Sequence, residues 1–256
     1  MEFKSWLSFH WFEDKTKRGY RYIHDAEVNI FFDTILETSK SRERFFPKDK
    51  LLWRSQLGND WSPIIENGEE VAEVHAPLSP ERMKPLSYKA TEGRANPKGI
   101  PCLYLATDKE TAMSEVRPWI GSYISVGQFK VIKDLKLIDC SVHHDKGVAI
   151  YFEEPEPPKR EEAVWADVDR AFSRPVTPND DVGDYVPTQI LAELFKKNGY
   201  DGLIYKSNLG KGFNVAIFDL DVAELINCSL FTVKQVNLSF SETSNPYFVR
   251  KHNDLD

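Results

Sequence analysis

The most regular alternation of apolar and polar positions lies near the N-terminus. There Val28, Phe31, Phe32, Ile35 and Leu36 follow i, i+3, i+4, i+7, i+8 spacing, which is one apolar face of a helix. Lys40 to Arg44 are mostly charged and Pro47 blocks continuation. Residues 1–46 therefore read as a helical N-terminal extension, whose aromatic cluster Trp6, Phe9, Trp11 and Phe12 suits docking on the rest of the same chain. Short apolar runs follow from there, and they predict strands at Leu51–Arg54, Cys102–Ala106, Tyr123–Ile132, Leu135–Cys140, Gly202–Tyr205 and Asn214–Phe218. A last strand is expected within 229–240.

Helical signals punctuate these strands. Thr107-Asp108-Lys109-Glu110 resembles a capping box with Thr107 as N-cap, opening a helix that runs toward Trp119. Val164, Val168 and Phe172 mark another, ending before Pro175. Pro187 suits the first turn of a third, with Ile190, Leu191, Leu194 and Phe195 on one face and Gly199 as its C-cap. Two stretches read as irregular: 58–100, rich in Pro, Gly and charge, and 143–160, where Pro155, Pro157 and Pro158 forbid a helix. Short mixed strands with a few helices predict an α+β fold rather than a doubly wound parallel sheet. The expected organisation is the extension 1–46, a main domain over 47–240, and a polar tail over 241–256 that frays after Asn245.

Composition narrows the class. With 41% hydrophobic and 29% charged residues, the chain of 256 residues reads as an ordinary soluble globular protein. Its net charge of −7 argues against a surface that coats nucleic acid, while leaving room for a local basic pocket. No membrane span or signal peptide is apparent. Cys102, Cys140 and Cys228 lie far apart in apolar contexts and fit reduced thiols, which makes the cytoplasm the expected location.

Chemistry concentrates between Gly93 and Glu115. Arg94 lies in a Gly/Pro-rich turn, where a guanidinium can grip a phosphate bidentately. Tyr104 alternates with Leu103 and Leu105, so its ring faces away from theirs and can stack a flat heterocycle or cover a helix. Glu115 can hydrogen-bond a ribose hydroxyl and stabilise positive charge at an anomeric carbon. Singly, each has an ordinary reading as a loop arginine, a packing aromatic or a helix glutamate. Together they suit an anionic nucleotide whose glycosidic bond is broken. Ser207 and Arg54 are further candidates for ribose or phosphate contact. No Gly-x-Gly-x-x-Gly and no phosphate loop ending in Gly-Lys-Ser/Thr occurs. His143-His144 lacks companion ligands, so no metal site is expected. Gly210-Lys211-Gly212 reads either as an anion-binding nest or as a flexible hairpin turn.

Ordered motifs tie these residues together: Leu-Trp-Arg at 52–54, Gly-Arg-x-Asn-Pro-x-Gly-x-Pro-x-Leu-Tyr-Leu-Ala at 93–106, Ala-x-x-Glu-Val-Arg-Pro at 112–118, and Leu-x-x-Ile-Asp at 135–139. Pro-Thr-Gln-x-Leu-Ala-Glu at 187–193, Gly-Tyr-Asp-Gly-Leu-x-Tyr-x-Ser at 199–207 and Asn-x-x-x-Phe-Asp at 214–219 complete the series. From about Leu51 to about Asp219 the chain resembles the RES domain family. The resemblance implies an ADP-ribosyltransferase-like core and NAD as substrate, with no tightly bound cofactor. It implies Glu115 as the catalytic carboxylate, Arg94 on the NAD phosphates, Tyr104 beside the nicotinamide or its ribose, and Arg54, Ser207 and Asn214 as further NAD contacts. Many members are toxins that deplete NAD by hydrolysis or phosphorolysis and are neutralised by an antitoxin; others modify a protein. The chain departs from the family at Ala95, where a bulkier residue is common, and at Lys206-Ser207-Asn208, where two adjacent serines are common. A catalytically silent nucleotide-binding module is the reading from another class. The aromatic extension leaves open a second role, binding an antitoxin or a second copy of the chain as a homodimer.

Overall fold

A computed structural model describes residues 1–86, 89–142, 144, 150–174, 182–242 and 244. The reading of His143 and the frayed tail after Asn245 lie outside these residues, whereas the helix expected to end before Pro175 does so, at Ser173. The architecture is α+β, with a helical N-terminus and a mixed sheet flanked by helices.

In chain order the elements are α1 (Ser8–Asp14), α2 (Ala26–Ser39), β1 (Glu43–Phe46), β2 (Leu51–Leu57), β3 (Asp60–Glu66), β4 (Glu69–Ala76) and β5 (Leu103–Ala106). They continue with α3 (Lys109–Glu115), β6 (Tyr123–Val131), β7 (Leu135–Asp139), α4 (Pro157–Ser173), α5 (Val186–Lys197), β8 (Gly202–Lys206), β9 (Phe213–Ile217) and β10 (Ala223–Thr232). Eight strands form one sheet in the order β1-β7-β8-β9-β5-β2-β6-β10. Its neighbours are antiparallel except for the parallel pair β7–β8.

Period-2 alternation sorts the side chains onto two faces. Ile138, Leu203, Tyr205 and Ala216 join a cluster with Phe172, Trp165 and Phe195 from the helices. Leu135, Leu137, Ile204, Val215 and Ile217 join a second cluster with Leu52, Phe129 and Met83. The N-terminal aromatics belong to the first cluster: Phe9, Phe12 and Phe31 are buried with α4 and α5, and the Phe12 and Phe31 rings stack at 4.8 Å. The extension thus docks within its own chain.

Several boundaries differ from the sequence reading. The segment 1–46 is not wholly helical, because Glu43–Phe46 forms β1 and pairs antiparallel with β7. The stretch 58–100 is not wholly irregular: β3 and β4 form a hairpin whose turn, Asn67-Gly68, has positive φ at both residues (53° and 87°). That is the conformation Asn-Gly favours in a two-residue hairpin. Helix α4 starts at Pro157, since prolines in the first turn forfeit no intrahelical bond. The last strand is β10, ending at Thr232 where it runs out of β6 to pair with. No described helix is long and apolar enough to cross a membrane. Burial pushes the Cys140 thiol well up and that of Cys102 to about 12, so both are unreactive core residues.

Candidate active site

The site forms where the sheet comes apart. Strands β5 and β2 are neighbours but pair only at Trp53 and Ala106, so they splay beyond that point. Arg54 fills the gap, donating from Nη1 to the Tyr104 carbonyl at 3.1 Å in place of a ladder bond. Its Nε is buried and has no hydrogen-bond partner among the described residues. Burial lowers the Arg54 pKa from its ordinary value, but a guanidinium stays charged.

Glu115 is the last residue of α3. The helix begins at Asp108 rather than Thr107: the Asp108 carboxylate accepts from Thr111 N at 2.8 Å and Thr111 Oγ1 at 2.9 Å. It ends at Glu115, short of Trp119, because Arg117 turns into the left-handed region at φ +47°. For a non-glycine residue that conformation costs about 1–2 kcal/mol. The Glu115 Oε1 atom accepts from Ser207 Oγ at 2.6 Å and from Asn214 Nδ2 at 2.7 Å. Its Oε2 makes no hydrogen bond or ion pair among the described residues. The carboxylate is therefore aimed by two neutral donors.

The link from Asn208 to Phe213 carries Ser207 into place. It is neither a loose turn nor an anion nest, because it docks on the start of α3. Gly212 N donates to Thr111 Oγ1 at 2.9 Å, and Phe213 N to Thr107 Oγ1 at 3.0 Å. A Cβ on Gly212 would come within 1.7 Å of the Asp108 carboxylate, so only glycine permits the approach. Ser207 in turn accepts from Leu209 N and Gly210 N, at 3.1 and 2.9 Å, which fixes its hydroxyl proton toward Glu115.

Tyr104 is turned to the helix side of the sheet, as alternation requires. Its hydroxyl donates to Asn96 Oδ1 at 2.7 Å and accepts from Ala95 N at 2.8 Å. Burial raises its pKa well above the ordinary value, so the phenol stays protonated and offers a ring rather than a proton. Asn96 then donates to the carbonyls of Thr91, Pro97 and Ile100, and Gln189 donates to those of Gly93 and Asn96. This scaffold holds the turn that carries Arg94. Arg94 donates to the Ala171 carbonyl at 2.9 Å and to that of Arg174, and lies 5.1 Å from the Tyr185 ring.

Two clefts meet at Glu115, Tyr205 and Asn214. One, of about 280 Å³, is lined by Trp53, Arg54, Tyr104, Ala106 and Val116; the other, of about 350 Å³, by Arg94, Arg117, Arg174 and Asn208. Arg54, Arg94, Tyr104, Glu115 and Asn214 all line one or both, and Ser207 joins them through Glu115. Sequence reasoning passed over Tyr205, Asn96 and Gln189 as site residues, although all three lie inside the quoted motifs. Among the described residues, no group of three or more His, Cys, Asp or Glu side chains can hold a metal.

Gly93 shows how tight the scaffold is. A Cβ there would stand 2.6 Å from the Tyr104 hydroxyl oxygen and 3.1 Å from Asn96 Oδ1. Gly93→Ala is expected to destabilise the protein by about 1–3 kcal/mol in a denaturant titration, as overpacking does. Adding Tyr104→Phe, which removes the clashing oxygen, should recover part of that loss; no recovery would refute the clash as its cause.

The splayed sheet, the carboxylate anchored by Ser207 and Asn214, and the two arginine-lined clefts that meet at it form one continuous candidate site. Residues 70–240 match the RES domain, well over half of the chain, and the chain belongs to that family. Strand β2 with Arg54 precedes the matched region, yet it sits inside the same sheet between β5 and β6. Among solved structures, a chain of the M. tuberculosis MbcT–MbcA toxin–antitoxin complex is similar at 16% identity. The match covers 77% of this chain and 92% of that one, with a TM-score of 0.41. Curated protein sequences gave no match.

Proposed function

We propose that this protein cleaves the nicotinamide–ribose bond of NAD and passes the ADP-ribosyl group to water or inorganic phosphate. Its biological role would be that of a toxin that depletes NAD, held in check by an antitoxin. The observation that carries the reading is the Glu115 carboxylate, aimed by Ser207 and Asn214 at the meeting point of two clefts that contain Arg54 and Arg94.

Nicotinamide in NAD is a cationic leaving group, so bond breaking needs no strong acid. The C1–N bond breaks with its electron pair going to the pyridine nitrogen, and a ribosyl oxocarbenium remains. Charge develops on the sugar, and a fixed carboxylate next to it stabilises that charge without reorganising. Arg54 and Arg94 would hold the pyrophosphate, the unpartnered Arg54 Nε being a donor suited to a phosphate oxygen. The Tyr104 ring would pack on the nicotinamide side. The acceptor oxygen then bonds to C1 and loses its proton to solvent, which balances the reaction.

The test is incubation of the purified protein with NAD, with and without phosphate, followed by chromatography. The expected result is release of nicotinamide with ADP-ribose, or with its 1-phosphate when phosphate is present. Label transferred to a protein would replace the small acceptor by a side chain. Binding of NAD without nicotinamide release would overturn cleavage altogether.

A further inference from the structure

Ser55 stands two residues past Trp53, the position at which β2 and β5 pair. Carried on, that antiparallel register sets Ser55 opposite Tyr104 and on the same face, with the splay between the strands separating them. On its other side β2 stays paired with β6, where Ser55 is in register with Val126, so its backbone is fixed. Ser55 is 8% exposed, and its Oγ is buried with no hydrogen-bond partner among the described residues. A hydroxyl taken out of water without a partner is costly, and a native structure keeps one where something else satisfies it.

The cleft that Ser55 lines indicates what that is. Trp53, Tyr104, Ala106, Ala112 and Val116 give it aromatic and apolar walls. At about 280 Å³ it is sized for one ring of a nucleotide rather than for the whole molecule. A flat ring lying on Tyr104 in the splay turns an edge toward Ser55. A hydroxyl both donates and accepts, which matches the carbonyl and amino groups of a carboxamide. The Tyr104 hydroxyl is already committed to Asn96 and Ala95, and the Asn214 amide to Glu115. We propose that Ser55 is a specificity-determining residue whose hydroxyl hydrogen-bonds the carboxamide of an aromatic ring seated beside Tyr104. The choice of nicotinamide as that ring rests on the NAD reading, whereas a ring-carboxamide site at Ser55 does not.

Ligand-observed NMR titrations give the affinities of nicotinamide and 3-methylpyridine for wild type and Ser55→Ala, with thermal melts alongside. The second ligand keeps the ring and carries a methyl group in place of the carboxamide. Ser55→Ala is expected to weaken nicotinamide binding about three- to tenfold, the worth of one neutral hydrogen bond. Affinity for 3-methylpyridine should not change, so the cycle isolates the contact between hydroxyl and carboxamide. The melting point should equal or exceed that of wild type, because the variant removes an unpaired buried hydroxyl. Equal losses for the two ligands, no loss for nicotinamide, or no nicotinamide binding by wild type overturns the proposal. Nicotinamide release from NAD, followed in the same two proteins, separates the two readings. If wild type releases none but Ser55→Ala selectively loses nicotinamide affinity, the Ser55 assignment stands and the reaction falls. If NAD is cleaved and both proteins bind nicotinamide equally, the reverse holds.

Discussion

Glu115→Gln is expected to lower kcat for NAD cleavage by about 10²–10³-fold, the usual worth of one well-placed electrostatic group. The substitution is clean because of how the carboxylate is held. Ser207 Oγ and Asn214 Nδ2 both donate to Oε1, and the carbonyl oxygen of a glutamine can accept both bonds in the same place. Only the negative charge is lost. Glu115→Ala is the poorer probe, because it strands the Ser207 hydroxyl and the Asn214 amide, both buried. That costs about 1–3 kcal/mol of stability on top of any catalytic loss. The measurement is steady-state nicotinamide release beside a thermal melt. Loss of kcat with an unchanged melting point is the expected pair; a Gln variant that retains wild-type kcat removes Glu115 from the chemistry.

That Arg54, Arg94, Tyr104, Glu115, Ser207 and Asn214 would come together was legible because they lie in short segments whose local geometry is self-determined. Tyr104 alternates with Leu103 and Leu105 in one strand, and the structure turns it away from them as alternation demands. Arg94, Glu115 and Ser207 each sit at the end or edge of an element, where side chains from different elements can converge. What the sequence concealed was mostly termini. The Thr107/Asp108 choice of N-cap turns on which side chain meets Thr111 N, and in the fold Thr107 is instead taken up by the Gly-rich link. Pro157 and Pro158 break a helix in its interior but start one equally well, and nothing local distinguishes the two cases. The β3–β4 hairpin did carry a local signal, Asn67-Gly68 between Ile64-Ile65 and Val71. It was masked by the charge and proline around it. Glu43–Phe46 is a strand for a non-local reason: its partner β7 lies some ninety residues further on, at Leu135–Asp139.

That same non-local packing sets the second large expectation: Trp165→Ala should destabilise the protein by about 3–5 kcal/mol. Trp165 lies on α4 with its side chain fully buried, and it is the meeting point of three parts of the chain. Its Nε1 donates to Thr38 Oγ1 on α2 at 3.0 Å, the Arg42 guanidinium sits 4.5 Å from its ring, and the Phe195 ring of α5 is stacked at 6.5 Å. Removing the indole leaves a cavity and also strips the buried Arg42 of the ring beneath it. Arg42 retains a bond from Nη1 to the Val142 carbonyl, while its Nε has no partner among the described residues. At about 2–4 °C per kcal/mol for a domain of this size, the melting point should fall by roughly 6–20 °C. Trp165→Phe keeps most of the volume and loses the N–H, so it should fall between. The shape of the transition carries as much information as its midpoint. Because Phe9, Phe12 and Phe31 share the cluster that Trp165 anchors, the N-terminal helices and the sheet should unfold together in one shifted step. Two separate transitions, or a loss below 1 kcal/mol, would mean that residues 1–46 rest on the domain rather than help to build it.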